Sequence, residues 1–217
     1  MRRTPFDRFS SYLAKHYTYD SAGRVATVAD YYNFRANDTA NYILLTYTYD
    51  ALGRVSDMTY TKAGSIIEQH SYAYDKNSNI VKEHNVNTAS GLNEVRAYTY
   101  DNLGQLVTSD IKDRVTTTTI VEGEADEDGN PTTAIKTEVT EKNKLQTSYT
   151  YDSVGNRTKK TENGTATSYT YNGLNQLISE SGGGASLTYS YDRNGNQTGI
   201  TGTAGGQQRQ QDIYLYP

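Results

Sequence analysis

The sequence predicts an all-β fold: consecutive antiparallel β-hairpins joined into one twisted sheet. Three observations carry that reading. The phrase Tyr-x-Tyr-Asp recurs seven times, beginning at Tyr17, Tyr47, Tyr72, Tyr98, Tyr149, Tyr169 and Tyr189, with Asn172 in place of the Asp in the sixth copy. A turn signal follows each copy at a fixed offset. The 217 residues also include 21 Tyr and 18 Gly but only 3 Pro, a strand-rich and turn-rich composition.

Each copy explains itself locally. Tyr at i and i+2 sets two rings on one face of a strand, with Thr or Ser between them on the other. Asp then opens a type I turn, and the fourth turn position takes the left-handed conformation of a bulged hairpin. That position holds Gly23, Gly53, Ser78, Gly104, Gly155, Asn175 and Gly195. Gly suits it and Asn tolerates it, whereas Ser78 is the awkward member. This turn predicts the return register: Asp20 faces Arg24, and Tyr19 lies opposite Val25. The equivalents of Val25 are Val55, Ile80, Leu106, Arg157, Leu177 and Gln197, so five of the seven are aliphatic. The ring face is therefore expected to be the apolar one and the Thr/Asp/Arg face the wet one. A lone hairpin cannot bury such a stripe, which is why the unit repeats.

Spacings between copies are 30, 25, 26, 51, 20 and 20 residues. The basic unit is about 20 residues, and insertions account for the longer gaps. The expected organisation is a lead-in over 1–16, hairpins over 17–107, an inserted hairpin over 108–148, hairpins over 149–201, and a flexible tail over 202–217. Within the insertion, "RVTTTTIV" and "TTAIKTEV" read as two strands around an acidic tip. "YYNFRANDTANYILL" (31–45) reads as a longer strand pair, and "SGGGAS" and "GTAGGQQRQQ" as flexible turn or linker material.

Composition removes several function classes. Leu, Ile, Val and Phe make up only about 17% of the chain, under the roughly 20% that accompanies disorder. Low net charge and the tyrosines argue against disorder here. A net charge of -4 points to no nucleic-acid partner and no anionic membrane. No stretch reaches membrane-spanning length. The N-terminus has two arginines but no apolar run behind them, so no signal peptide is read there. With no Cys, thiolate chemistry and disulfides are absent.

Repeated Tyr-x-Tyr-Asp-x-x-Gly-Arg-Val resembles the YD repeat of the Rhs proteins. The family also takes in wall-associated bacterial proteins, the B and C components of insecticidal toxin complexes, and teneurins. The clean matches are 17–25 and 47–55, with 98–107, 149–157, 169–178 and 189–197 close behind. The resemblance implies a sheet that spirals into a hollow shell, exported to the cell surface or beyond, and in toxin members enclosing a toxic cargo. It implies no chemistry in the repeats themselves, and no catalytic residue, metal or cofactor carries over. The residues it marks are structural: Tyr17, Tyr19, Asp20, Gly23, Tyr47, Tyr49, Asp50, Gly53, Tyr98, Tyr100, Asp101, Gly104, Tyr149, Tyr151, Asp152, Gly155, Tyr189, Tyr191, Asp192 and Gly195. Because a closed shell needs more strands than this chain holds, it is expected to be one piece of such a wall, partnered by further YD-repeat strands. The ending "QQDIYLYP" looks like the opening of another repeat.

Other chemistry is weakly encoded. Glu124, Asp126, Asp128 and Gly129 follow the first half of a calcium loop, but Ile135 stands where a bidentate Glu belongs and Pro131 interrupts. His16, His70 and His84 sit in no nucleophile motif and are expected on the surface. The recurrent aspartates are explained by their turns without any paired-carboxylate catalysis. Sequons stand at Asn37, Asn156, Asn163 and Asn196. Rows of exposed tyrosines could stack on sugar faces, which makes a carbohydrate-binding or adhesive module of the cell wall the alternative. Aliphatic partners on the same face favour packing instead.

Overall fold

In a computed structural model, residues 14–31, 42–124, 127 and 133–212 are described. Among the described residues fifteen β-strands follow one another, and their hydrogen-bonded order in the sheet is the order of the sequence. No helix occurs among the described residues. Two compact units divide the chain, residues 1–95 with 113–140 and residues 96–112 with 141–217.

The first unit contains three repeat hairpins. They are β1 (Ala14–Tyr19) with β2 (Val25–Tyr31), β3 (Tyr42–Tyr49) with β4 (Val55–Lys62), and β5 (Ser65–Tyr74) with β6 (Ile80–Asn87). The expected register is present, with Tyr19 opposite Val25, Tyr49 opposite Val55 and Tyr74 opposite Ile80. One step further the sequence reading falls short. Thr18 pairs with Thr27, so Ala26 is left over, and Ser56 and Val81 are left over in the same way. A β-bulge follows the turn in six of the repeat hairpins and brings the next return-strand residue back to the ring face.

After β7 (Leu92–Tyr100), β8 (Leu106–Glu122) and β9 (Thr133–Tyr151), the second unit continues the scheme. There β10 (Arg157–Glu162), β11 (Thr165–Tyr171), β12 (Leu177–Gly182), β13 (Ala185–Tyr191) and β14 (Gln197–Ala204) pair in succession. Tyr151, Tyr171 and Tyr191 stand opposite Arg157, Leu177 and Gln197. The 20-residue rhythm follows from two turn types. An Asp turn, or in β11–β12 the Asn172 turn, closes one end of each hairpin, and a two-residue turn such as Asn163–Gly164, with φ of 47° and 84°, closes the other.

Three expectations need correction. Residues 202–212 are no flexible tail: 202–204 end β14, and β15 (Gln207–Asp212) pairs with it from Gly199↔Asp212 to Ala204↔Gln207. Backbone pairing supplies an order there that the Gly/Gln composition conceals. The 51-residue gap, in the second place, is spanned by two long strands, β8 of 17 and β9 of 19 residues: they contain the two strands expected around the tip, but the expected bounds at 108 and 148 fall inside them, so the insertion extends repeat strands. Extra Thr, Val and Ile lengthen existing strands because they suit extended backbone. Finally, the ring face is less apolar than expected. The first Tyr of six copies, at 17, 47, 72, 149, 169 and 189, faces Val28, Met58, Glu83, Lys160, Glu180 and Ile200 in turn, half of them charged.

The core is correspondingly thin. Among the described residues the buried apolar side chains are Ala29, Val95 and Tyr169. Tyr17 and Tyr19, on the first strand, are 46% and 62% exposed, against 8% for Tyr169, which has a hairpin on either side. Covering of the rings thus depends on neighbours within the sheet. Residues 1–13, the 32–41 stretch with Asn37, the tip residues Asp126, Asp128, Gly129 and Pro131, and the "IYLYP" ending lie outside the described residues.

Candidate functional site

The turns form the most regular constellation in the molecule. In the first, Asp20 Oδ1 accepts from the backbone N–H groups of Ala22 and Arg24, both at 2.9 Å, and Oδ2 accepts from Arg24 Nε at 2.7 Å. The Gly23 N–H reaches back to the Asp20 carbonyl at 3.0 Å. Asp50 repeats the pattern with Leu52 and Arg54, Asp75 with Asn77 and Asn79, and Asp101 with Leu103 and Gln105. Asp152 repeats it with Val154 and Asn156, and Asp192 with Asn194 and Asn196. The residue four after each Asp is therefore chosen for a side-chain donor: Arg24, Arg54, Asn79, Gln105, Asn156 or Asn196. Gly23, Gly53, Gly104, Gly155 and Gly195 have φ between 76° and 91°, and Ser78 joins them at 67°. The serine accepts this strained conformation because the turn's own hydrogen bonds impose it.

Sequence reasoning did not find the second layer of the constellation, which joins one hairpin to the next. The second Tyr of a copy donates its hydroxyl to the backbone carbonyl that follows the preceding turn. Tyr49 Oη reaches Val25 O at 2.7 Å and Tyr74 Oη reaches Val55 O at 2.7 Å. In the second unit, Tyr151 bonds Leu106 O at 2.8 Å, Tyr171 bonds Arg157 O at 3.0 Å and Tyr191 bonds Leu177 O at 2.9 Å. Arginine adds to the joint. The Arg24 guanidinium lies 4.3 Å from the Tyr49 ring centroid, Arg54 lies 4.5 Å from Tyr74, and Arg157 lies 4.5 Å from Tyr169. Arg54 also donates to Asp75 O at 2.9 Å and Ser78 Oγ at 3.1 Å in the next turn. Arg24 and Arg54, expected on the wet face, stack on rings instead, a further correction, because a weakly hydrated guanidinium gains from an aromatic face. On the opposite face, hydroxyl pairs cross the strands, as in Thr18–Thr27 at 2.6 Å and Thr99–Thr108 at 2.7 Å.

The carboxylates are committed to these turns. Asp20 is held below its ordinary range, chiefly by the Arg24 backbone N–H. Asp75, Asp152 and Asp192 are lowered chiefly by the side-chain amides of Asn79, Asn156 and Asn196. At Asp50 burial pushes upward, and the hydrogen bonds from Arg54 and Leu52 outweigh it. Their folded values lie below the unfolded value of about 3.9, so their stabilisation is complete above that value. It is lost as pH falls through the depressed folded values. Asp152→Asn should therefore be less stable than the parent in neutral urea melts, with the gap closing as pH falls through the depressed folded value of Asp152. An undiminished gap in acid would refute this origin.

Of the histidines, His16 is exposed. His70 is not on the open surface: Nε2 lies 2.7 Å from Glu68 Oε1 and Nδ1 lies 2.8 Å from Asn85 Oδ1. Its ring also stands edge-on to Tyr60. A same-strand carboxylate and a cross-strand amide draw it in. His84 Nε2 meets Asn93 Oδ1 at 2.8 Å. Among the described residues, no three His, Cys, Asp or Glu side chains gather as a metal site. Sequon residues Asn156 and Asn196 serve as Asp donors in the turns.

The RHS repeat family model matches residues 171–207. No curated protein matches the chain. Among solved structures, the TcdB2-TccC3 complex without its hypervariable C-terminal region is 19% identical, with a TM-score of 0.49 over 94% of this chain. A TcdB2-TccC3-TEV structure is also 19% identical, with a TM-score of 0.46 over 91%. The chain spans 12% of the length of each. A protein of unknown function from Bacteroides fragilis is 12% identical, with a TM-score of 0.17 over 79% of this chain and 91% of its own. The matched segment 171–207 is one register of a turn-and-tie pattern that recurs along both units, and over that segment the chain is similar to the RHS repeat.

Proposed function

We propose that this chain is a non-catalytic wall module, exported to the cell surface or beyond, whose hairpins add strands to a larger YD-repeat sheet around a protein cargo. The observation that supports it is the Tyr hydroxyl bond to the preceding hairpin, repeated at Tyr49, Tyr74, Tyr151, Tyr171 and Tyr191. Each such bond uses a ring and a carbonyl from different hairpins, so a copy is complete only beside another. The turn carboxylates, which a hydrolase would need free, are each occupied by backbone and side-chain donors. Strands β1 and β15 stand at the ends of the strand order, and an edge strand is a template for further pairing.

Light scattering across a concentration series tests the reading. Association that disappears in one of the single variants Gln210→Pro and Gln211→Pro is expected, since adjacent N–H groups point to opposite sides and one of the two removes an outward N–H while sparing the β14 ladder. A protein that stays monomeric at every concentration would contradict it. A cell-wall pull-down decides the carbohydrate alternative: retention lost in Tyr47→Ala/Tyr49→Ala with the β circular-dichroism signal intact would replace the wall reading.

A further inference from the structure

We propose that Asn172 is a self-modifying site whose deamidation supplies the carboxylate that the other six turns already carry. Asn172 stands at the Asp position, and its Oδ1 accepts from Leu174 N at 2.9 Å and Gln176 N at 3.0 Å. Its Nδ2 donates to Gln176 Oε1 at 2.6 Å. The sister turn at Asp101 has the same frame, with Gln105 donating through Nε2 to the carboxylate at 3.0 Å. Rotating the Gln176 amide by half a turn converts one arrangement into the other, so the site is already built for an aspartate. The residue that follows is Gly173, which is exposed. With no Cβ to hinder it, a glycine nitrogen is the least obstructed nucleophile a main chain offers.

In the reaction, Gly173 N loses its proton to solvent base and bonds to Asn172 Cγ, and Nδ2 departs as ammonia. Water then opens the cyclic imide at one of its two carbonyls, giving α-linked Asp or β-linked isoaspartate. Two backbone N–H groups on Oδ1 draw electrons from Cγ and favour attack. The fold also selects the product. An α-linked Asp keeps every donor of the turn, whereas isoaspartate adds a main-chain methylene and displaces Leu174 N and Gln176 N. Because the imide re-forms and reopens, the product that the folded state accommodates accumulates. The other two Asn-Gly pairs, at 163 and 194, have glycines held at φ of 84° and 86° and lie outside the Asp position.

Peptide mapping of the intact protein, kept folded at mildly alkaline pH, tests this. A deamidation mass gain at Asn172 is expected, with Asp exceeding isoaspartate in folded protein and the ratio inverted in urea-unfolded chain. Gly173→Ala is the control, since an added Cβ meets nothing within 4 Å and the residue is outside the left-handed region. It should slow the gain on the order of tenfold. Asn172→Asp should melt above the parent at neutral pH. Isoaspartate in excess in the folded protein, no gain at Asn172, an unchanged rate in Gly173→Ala, or a lower melt for Asn172→Asp would each overturn the proposal.

Discussion

Tyr169→Ala is expected to lower stability by about 3–5 kcal/mol, the cost of truncating a buried aromatic. The ring is 8% exposed and lies under the Arg157 guanidinium, 4.5 Å from its centroid. Arg157 Nε is buried without a hydrogen-bond partner, so the ring face is its compensation. Removing that face leaves the cation desolvated as well as opening a gap in the sheet. Tyr19→Ala, at a ring 62% exposed, should cost less than about 1 kcal/mol. Urea unfolding followed by circular dichroism measures both. Equal losses at the two positions would show that burial between hairpins is not the source of stability.

Gly202→Ala is the second large effect. This residue sits inside β14 at φ of 131°, a region an L side chain rarely adopts. A Cβ there would stand 2.0 Å from Ser186 O and 3.0 Å from Leu187 Cα, backbone atoms of the neighbouring strand. No rotamer relieves such a clash, so β13 and β14 must separate or the backbone must shift. A loss of about 3 kcal/mol or more is expected. Gly173→Ala gives the baseline in the same melts, because nothing lies near its added Cβ. If the two alanines behaved alike, the close strand approach at Gly202 would be wrong.

What the sequence disclosed was what lies within one turn. Asp20, Gly23 and the Tyr19↔Val25 register are separated by at most six residues, and their chemistry alone specifies them. The bulge at Ala26 escaped because the residue left over is Ala26, Ser56 or Val81 in the first three hairpins, types with no shared preference, so nothing marks which one is unpaired. The hydroxyl ties escaped for another reason. Tyr49 and Val25 are 24 residues apart, and Tyr171 and Arg157 are 14 apart, distances at which no local signal operates. Arg24 and Arg54 were assigned to the wet face because charge alone was read, whereas their guanidinium groups reach the next hairpin's ring. Strand β15 was missed because Gln-rich sequence has no strand preference of its own and is ordered by the β14 ladder. Candidate residues were therefore found by type and position, but the partner each one serves was not.

If neighbouring hairpins truly hold one another in place, native-state hydrogen exchange of Tyr171→Phe is the most direct probe. The substitution removes a single hydroxyl, the donor to Arg157 O at 3.0 Å, at a cost of about 1 kcal/mol. Faster exchange is predicted in β11 and β12, which carry the change, and equally in β9 and β10, which only receive the bond. Acceleration confined to β11 and β12 would mean that each hairpin stands by itself.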